Sequence, residues 1–438
     1  MSSILPFDPP FFLQARRVPG FVDIPTEAKE AADEGSASCW DGKNASTDSS
    51  GGGGALFQDD DTAAAMPTQL RRMNTMNGNI IVLDLPEQKE PYAVWLHRKI
   101  GRTAANGAVR VGFILRSKYN DGGSSSSGAA GSCWELDTHE DGSPKMVAVK
   151  IFDAHIFADG AKEDDDGEKS ASNLPIHKRN PMHELKAYEM IAQYSQDSKT
   201  DEPSHVVGTK LIGKIPNQHV YAILPFHRDG TLLSYCQECG TLSESVARFF
   251  FRRILKGLKT LRDLGLCHRN LSMESIVLDR DLVSIAGLGW CLRYSSEPAK
   301  NSSSSPSPLP VNSDPQYVPP EFFQVNKDEG KVTWDGYVAD LWASALILFS
   351  MVVSSHALFA APLKEDRLFV ELCQTGNIKG QVERFSKATN QTIVLSSELE
   401  DLLQKMLKAD PEERLTLDQV MDHDWLKGEE TSPWGKQS

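Results

Sequence analysis

The side chains best suited to chemistry in this sequence fall in two short runs. Val147-Ala148-Val149-Lys150 ends on an ammonium, and His268-Arg269-Asn270-Leu271-Ser272-Met273-Glu274-Ser275 sets an imidazole, a guanidinium, an amide and two hydroxyls close together. Cations of this kind suit a phosphate-bearing ligand, the guanidinium through forked hydrogen bonds and the ammonium as a point charge. Gly101 and Gly107 bracket a stretch where backbone N–H groups can approach phosphate oxygens. Two other groupings carry less. Cys236-Gln237-Glu238-Cys239 is a lone C-x-x-C with no second pair and no nearby histidine cluster, so reduced thiols are expected there rather than a metal. The run 159–169, with six acidic and two basic side chains, reads as a solvated loop.

The elements that must position these residues follow from periodicity. Residues 95–100 and 109–115 alternate as the two strands of a hairpin, and 146–152 is a third strand carrying Lys150. Residues 182–194 read as a helix after Pro181, and 220–224 as a further strand. The second half is mainly helical. Residues 243–264 place Phe249, Ile254, Leu255, Leu258 and Leu261 at helical spacing. Residues 337–353 are apolar nearly all round, as expected of a helix at a domain centre. Helices over 398–407 and 417–426 close the chain. A small strand-rich lobe before a larger helical one is a bilobal α+β arrangement.

Around this domain, expected over 89–427 with lobes meeting near 225, lie segments that read as unstructured. Residues 1–88 are mostly small and polar, including the run Gly51 to Gly54, and cannot bury enough surface to offset ordering entropy. Phe7-Asp8-Pro9-Pro10-Phe11-Phe12-Leu13 and Ile80-Ile81-Val82-Leu83 stand out from that background as apolar pieces able to dock on a partner or on the domain. For the second, a strand packed on the domain is an equal alternative. Low-complexity inserts are expected near 117–144 and 153–180, and a flexible tail over 428–438.

Bulk properties bound the function. At 438 residues, with 40% apolar content and eight Trp, the chain can build a large core, which excludes wholesale disorder. The net charge of −14 argues against nucleic acid or an anionic membrane as the main partner. Seven cysteines, an odd and scattered set, imply no disulfide framework. Pro6, Pro9, Pro10 and Asp8 interrupt any signal-peptide core, and the apolar stretch 341–353 is too short to span a bilayer. A cytoplasmic or nuclear location is expected.

Taken in order, the landmarks over 92–426 resemble the eukaryotic protein kinase family. Val147-Ala148-Val149-Lys150 is similar to the family's third-strand V-A-I-K, and Glu184 matches the spacing of the helix glutamate that pairs with the lysine. Lys150 would then present its charge to nucleotide phosphates. Tyr221-Ala222-Ile223-Leu224-Pro225-Phe226-His227-Arg228-Asp229-Gly230-Thr231-Leu232-Leu233 resembles the hinge, with Leu224 as gatekeeper and Phe226 at the nucleotide site. Tyr317-Val318-Pro319-Pro320-Glu321 resembles A-P-E, Asp340-Leu341-Trp342 the opening of the central helix, and Arg414 the arginine that pairs with Glu321. His268, Leu288 and Tyr188 fall at the stacked column that couples the lobes. The helical lobe looks most like Ser/Thr kinases of the calcium/calmodulin-kinase type, whose L-S-L-E-N loops make Ser272, and Leu288 in place of Phe, subgroup traits. Arg269 could bind a phosphate on the activation segment, where Ser305 and Ser307 each precede Pro; unmodified filler is the alternative.

The departures concentrate on chemistry. H-R-D-L-x-x-x-N becomes His268-Arg269-Asn270-Leu271-Ser272-Met273-Glu274-Ser275, and Gly287-Leu288-Gly289 replaces D-F-G. Asn270 cannot accept the hydroxyl proton, a loss of ~10²–10⁴-fold, or about 3–5 kcal/mol. Mg²⁺ needs hard oxygen ligands. Gly287 offers none and Ser275 only a short neutral one, while Asp279 and Asp281 are expected in a turn facing away. Thr103 stands at the middle glycine of the phosphate loop, which also runs one residue long. The resemblance therefore implies a pseudokinase in which Asn270, Lys150 and Glu184 hold the catalytic positions. Gly101, Gly107, Val109, Ala148, Lys150, Leu224, Phe226 and Val277 would line a site for ATP held without metal, and Mg²⁺ is not expected. Its expected work is as a regulator or scaffold binding a partner kinase or kinase substrate. A weakly active or unconventional Ser/Thr kinase, and an ATP-sensing module without turnover, are the alternatives.

Overall fold

Alternation of apolar side chains organises the N-terminal half into a curled sheet. The computed structural model describes residues 2–5, 13–18, 20–23, 72–74, 80–83, 92–102, 107–117, 132–153, 181–198, 202–215, 218–298, 315–323, 335–353, 362–363 and 365–435. Short strands β1 (Ser2–Leu5), β2 (Leu13–Val18), β3 (Gly20–Asp23), β4 (Arg72–Asn74) and β5 (Ile80–Leu83) precede β6 (Tyr92–Arg102) and β7 (Ala108–Ser117). Next come β8 (Ser132–Leu136), β9 (Met146–Asp153), helix α1 (Pro181–Asp197), β10 (Leu211–Ile215) and β11 (His219–Pro225). The expected hairpin forms: β6 and β7 pair antiparallel, with Gly101 opposite Val109. From β7 the pairing passes to β9, β11 and β10. It then crosses to β2 in parallel and returns through β5 to β6, so seven strands hydrogen-bond in a closed ring.

Within the ring, Ile81, Leu83, Val94, Val149, Tyr221 and Ile223 are among the side chains of a single buried cluster. Packing there is tight enough to specify a glycine. A Cβ on Gly112 would meet Val94 Cγ1 at 2.6 Å and Val149 Cγ2 at 2.8 Å, closer than any side chain tolerates. The outer side of β9 and β11 instead joins Phe152, Val220 and Leu224 to a core that continues through α1 into the helical lobe.

The ordered domain is larger than expected. It reaches back beyond residue 89, because Ile80, Ile81 and Leu83 are wholly buried and β5 is a strand of the ring. Packing on the domain is thus the reading that holds for Ile80–Leu83. The insert near 117–144 is ordered in part: β8 pairs with β7 and buries Trp134 and Leu136 beside Trp95 and Phe113. Asp137 then anchors the following turn, accepting from Arg116 Nε at 2.6 Å and Lys145 Nζ at 2.9 Å. The glycine- and serine-rich tracts 51–54 and 122–131, most of the apolar piece 7–13, and the acidic run 159–169 lie outside the described residues.

The helical lobe comprises α2 (Leu232–Cys239), α3 (Glu244–Asp263), α4 (Gly336–Val352), α5 (Ile378–Thr389), α6 (Ser397–Met406), α7 (Leu417–Met421) and α8 (Asp424–Lys427). Its short strands are β12 (Leu266–Cys267), β13 (Ile276–Asp279), β14 (Leu282–Ile285) and β15 (Leu292–Pro298). As expected, α4 is buried nearly all round. The single helix expected over 417–426 is broken in two at Asp422 and His423. His423 Nδ1 accepts the N–H of Trp425 at 3.3 Å and so caps a new helix. Residues 428–435, expected to be a flexible tail, fold back onto α3. Trp434 packs on Tyr235, Phe249 and Phe250, while Arg252 and Arg253 hold Glu430. Aromatic burial plus ion pairing holds this segment in place. Among the described residues no helix is long and apolar enough to cross a membrane.

One ion pair ties the segment before α4 to the far end of the lobe. Arg414, its side chain 3% exposed, donates to both carboxylate oxygens of Glu321 at 2.8 and 2.6 Å and lies over the Trp342 ring at 4.6 Å. Arg414→Ala should lower unfolding free energy by about 3 kcal/mol, since a poorly solvated carboxylate would be left unpaired. Urea denaturation checks this, and an unchanged midpoint would refute it.

Candidate active site

Strand register collects the first group of candidate residues. Val109 lies opposite Lys150, Val111 opposite Ala148, and Ala148 opposite Leu224, so all project from the outer side of the ring. Ala148 and Val277 pack against one core, and Val277 is set by bridging to Thr231 and pairing with Ser284. Phe226 is half-buried and packs against the Trp95 and Phe113 cluster. Gly101 pairs with Val109, and a Cβ there would make only ordinary contacts at 3.7 Å and beyond. Gly107 sits at the start of the returning strand, and Thr103 lies outside the described residues.

Lys150 Nζ donates to Glu184 Oε1, the expected pairing. Glu184 stands in the first turn of α1, where the helix dipole favours an anion. It is only 4% exposed and also accepts the Tyr188 hydroxyl at 2.8 Å. Burial, and then the neighbouring Glu184 charge, push the Tyr188 phenol well above its ordinary range. Tyr188 and Leu288 are both buried in the core shared by the lobes, and His268 is wholly buried.

The loop bearing Asn270 is pinned from below by Asp340 on α4. Its two carboxylate oxygens accept the backbone N–H of His268 at 2.6 Å and of Arg269 at 2.7 Å. Those bonds hold Arg269 at φ 67°, a left-handed conformation that a non-glycine residue adopts only when its surroundings require it. His268 Nε2 lies 2.8 Å from the Ala286 carbonyl, and its Nδ1 accepts the N–H of Asn270 at 3.3 Å. Burial pushes the Asp340 carboxyl up to about 7, against the pull of the two N–H groups and of Arg269.

The two positions that match the family's metal ligands hold Ser275 and Gly287, and neither brings a carboxylate. Ser275 Oγ accepts the N–H of Ser272 at 2.9 Å and donates to the Ser272 carbonyl at 2.8 Å, closing a capping box around a turn of 3₁₀ helix. That hydroxyl is spent on its own loop. Gly287 lies at φ 86°, and a Cβ there would find only His268 Nε2, at 4.0 Å. The nearby carboxylates are committed elsewhere: Asp281 accepts from Ser432 Oγ at 2.6 Å, and Asp279 sits at the end of β13 beside Arg228 and Arg280. Among the described residues no three of His, Cys, Asp or Glu converge as metal ligands.

One residue of the site had no signal in the sequence. His183 opens α1 beside Glu184, and burial, then the charge of Arg269, hold its imidazole down to about 4. Arg269 itself is 5% exposed and donates to the Trp290 carbonyl at 3.3 Å. The Ser-Pro pairs at 305 and 307 lie outside the described residues.

Asp340 yields a pH dependence. Its folded pKa of about 7 exceeds the ordinary value of 3.8, so between these the folded protein keeps a proton that the unfolded chain has released. The contribution of this group to stability therefore falls as pH rises from about 4 to 7 and is level above. Asp340→Asn does not titrate, so wild-type stability minus that of the variant should decline over this window. Urea titrations at several pH values check this, and a flat difference would refute it.

Similarities to known proteins follow the geometry. The protein kinase domain model matches residues 127–426, more than half of the chain. The Ser/Thr-protein kinase SRK2C of Arabidopsis thaliana is 26% identical over 213 residues, which cover 48% of this chain and 55% of that protein. SAPK2 of Oryza sativa subsp. indica is 24% identical over 211 residues, covering 48% and 56%. The chain thus spans about half the length of the curated relatives it matches. The crystal structure of Rad53 1–466 in complex with AMP-PNP covers 76% of this chain and 65% of that one, at 16% identity and a TM-score of 0.44. With its strand-rich and helical lobes and the match of the protein kinase domain model over residues 127–426, the chain belongs to the protein kinase domain family.

Proposed function

We propose that this protein is a pseudokinase that acts as a regulator or scaffold in phosphorylation signalling through protein partners. The observation that carries this reading is the capping box at Ser275, whose hydroxyl is used twice by Ser272. Together with the bare Gly287 and the uncharged Asn270, it leaves the positions for the base and both metal ligands without a carboxylate. Phosphoryl transfer relies on charge placed around the moving phosphate, so these losses compound. The donor set does not fit Mg²⁺.

A nucleotide fits the rest better. Val109, Ala148, Leu224 and Val277 would line the adenine, with Phe226 nearby, while Gly101, Gly107 and Lys150 would face the phosphates. The Lys150–Glu184–Tyr188 chain favours this, because the ammonium is already held on the ring's outer side. The same chain keeps two further readings open to test: an ATP sensor without turnover and a slow, unconventional Ser/Thr kinase. Cys236, Cys239, Cys267, Cys291 and Cys373 are free thiols, which suits a reducing cytoplasmic or nuclear location.

The decisive comparison sets the purified protein beside the triple revertant Asn270→Asp, Ser275→Asn, Gly287→Asp. Gly287→Asp has room, and the left-handed backbone should cost about 1–2 kcal/mol, so the revertant should fold. The expected result is no transfer by wild type above Lys150→Met; an ATP-induced thermal shift that needs no Mg²⁺ would then favour the sensor, and no shift the scaffold. The revertant should gain transfer. Robust wild-type transfer abolished by Lys150→Met would overturn the pseudokinase reading.

A further inference from the structure

The folded-back segment 428–435 contains one hydroxyl held by a carboxylate. Ser432 precedes Pro433, the minimal signature for a proline-directed protein kinase. Its Oγ donates to Asp281 Oδ1 at 2.6 Å and accepts the N–H of Trp434 at 3.2 Å. Both bonds fix the turn that presents Trp434 to Tyr235, Phe249 and Phe250. Upstream, the N–H of Thr431 bonds the Ser245 carbonyl at 3.1 Å, and Glu430 lies between Arg252 and Arg253. The segment is therefore held to α3 through Glu429, whose carbonyl accepts from Arg248, and through Glu430, Thr431 and Trp434, while the single hydroxyl of Ser432 ties it to Asp281 in the β13–β14 turn. Thr431 and Gly435 on either side are exposed, and Ser432 is half-buried between them.

We infer that Ser432 is a phosphorylation site whose modification releases residues 429–435 from α3. The reaction moves the γ-phosphoryl group of ATP from its bridging oxygen to Ser432 Oγ. ADP leaves, and the hydroxyl proton passes to the base of the modifying kinase, which is a separate, proline-directed enzyme. The product has lost the O–H that Asp281 accepted and carries nearly two negative charges in its place. The phosphate and the Asp281 carboxylate then repel at a spacing that was a hydrogen bond, and the Trp434 N–H loses its fixed acceptor. Release uncovers Phe249 and Phe250 and frees Arg252 and Arg253 on α3. Neither the nucleotide site nor the positions of base and metal ligand take part.

The full-length protein serves for the test, prepared unmodified, with phosphoserine encoded at position 432, and after treatment with a proline-directed kinase and MgATP. Peptide mapping should place phosphate on Ser432, and Ser432→Ala should lack it. Amide hydrogen exchange across 429–435 should speed up roughly 10- to 100-fold in the phosphorylated protein. Asp281→Asn should reduce that increase, because the repelling charge is gone. Failure of the treated protein to take phosphate at Ser432 would overturn the site. Phosphoserine at 432 with unchanged exchange, as when Arg280 or Arg228 captures the phosphate and keeps the segment docked, would overturn the release.

Discussion

Asp340 is the point on which the rest of the site hangs. A carboxylate on the most buried helix of the molecule reaches up and takes two consecutive backbone N–H groups of the loop above it. This bends Arg269 into a left-handed conformation, turns His268 inward and so sets where Asn270 stands. Burying a carboxyl is costly unless it is hydrogen-bonded, and here the two N–H groups and Arg269 offset a desolvation that still raises its pKa. The loop is held as firmly as catalysis would demand, although the residue so placed has no charge to use.

That contrast runs through the molecule. Pairs that hold parts together are in place: Lys150 with Glu184, Glu321 with Arg414, and the Glu244 carboxylate that takes Ser396 and Trp425. At the positions of the family's base and metal ligands, Asn270 and Gly287 bring no charge and Ser275 is bonded to backbone. Ser275 illustrates why a short hydroxyl is no neutral replacement. Its donor goes to a carbonyl and one of its two acceptor positions to a backbone N–H, both on its own loop.

Much of the fold was legible in advance, for reasons tied to particular elements. The β6–β7 hairpin and the strand of Lys150 announce themselves by alternation, and α3 and α4 by helical spacing and by continuous apolar character. Local signals misled at the edges. The stretch 417–426 keeps helical spacing through Asp422 and His423, yet His423 starts a new helix because its ring can cap Trp425 and meet Asp401 at 3.0 Å. Residues 428–435 look like a polar tail, and only the ring cluster on α2 and α3 gives Trp434 a reason to stay. The apolar run Ile80–Leu83 was ambiguous because strand and docking segment share a composition. Its alternate side chains enter two different clusters, which no single-segment pattern reports.

By itself the sequence determined which chemistry is present. The identities of Asn270 and Gly287 remove two carboxylates and that of Ser275 an amide whatever the fold, and the spacing of Lys150, Glu184, Glu321 and Arg414 specifies the partners that must meet. Tertiary structure alone decided what those groups do with their hydrogen bonds. The seven-strand closure, the glycine required at 112, the double use of the Ser275 hydroxyl, and the proximity of His183 to Arg269 and of Ser432 to Asp281 each join distant or unpatterned residues. Such contacts arise from packing between elements. Periodicity, which reports only the face a residue occupies on its own element, does not contain them.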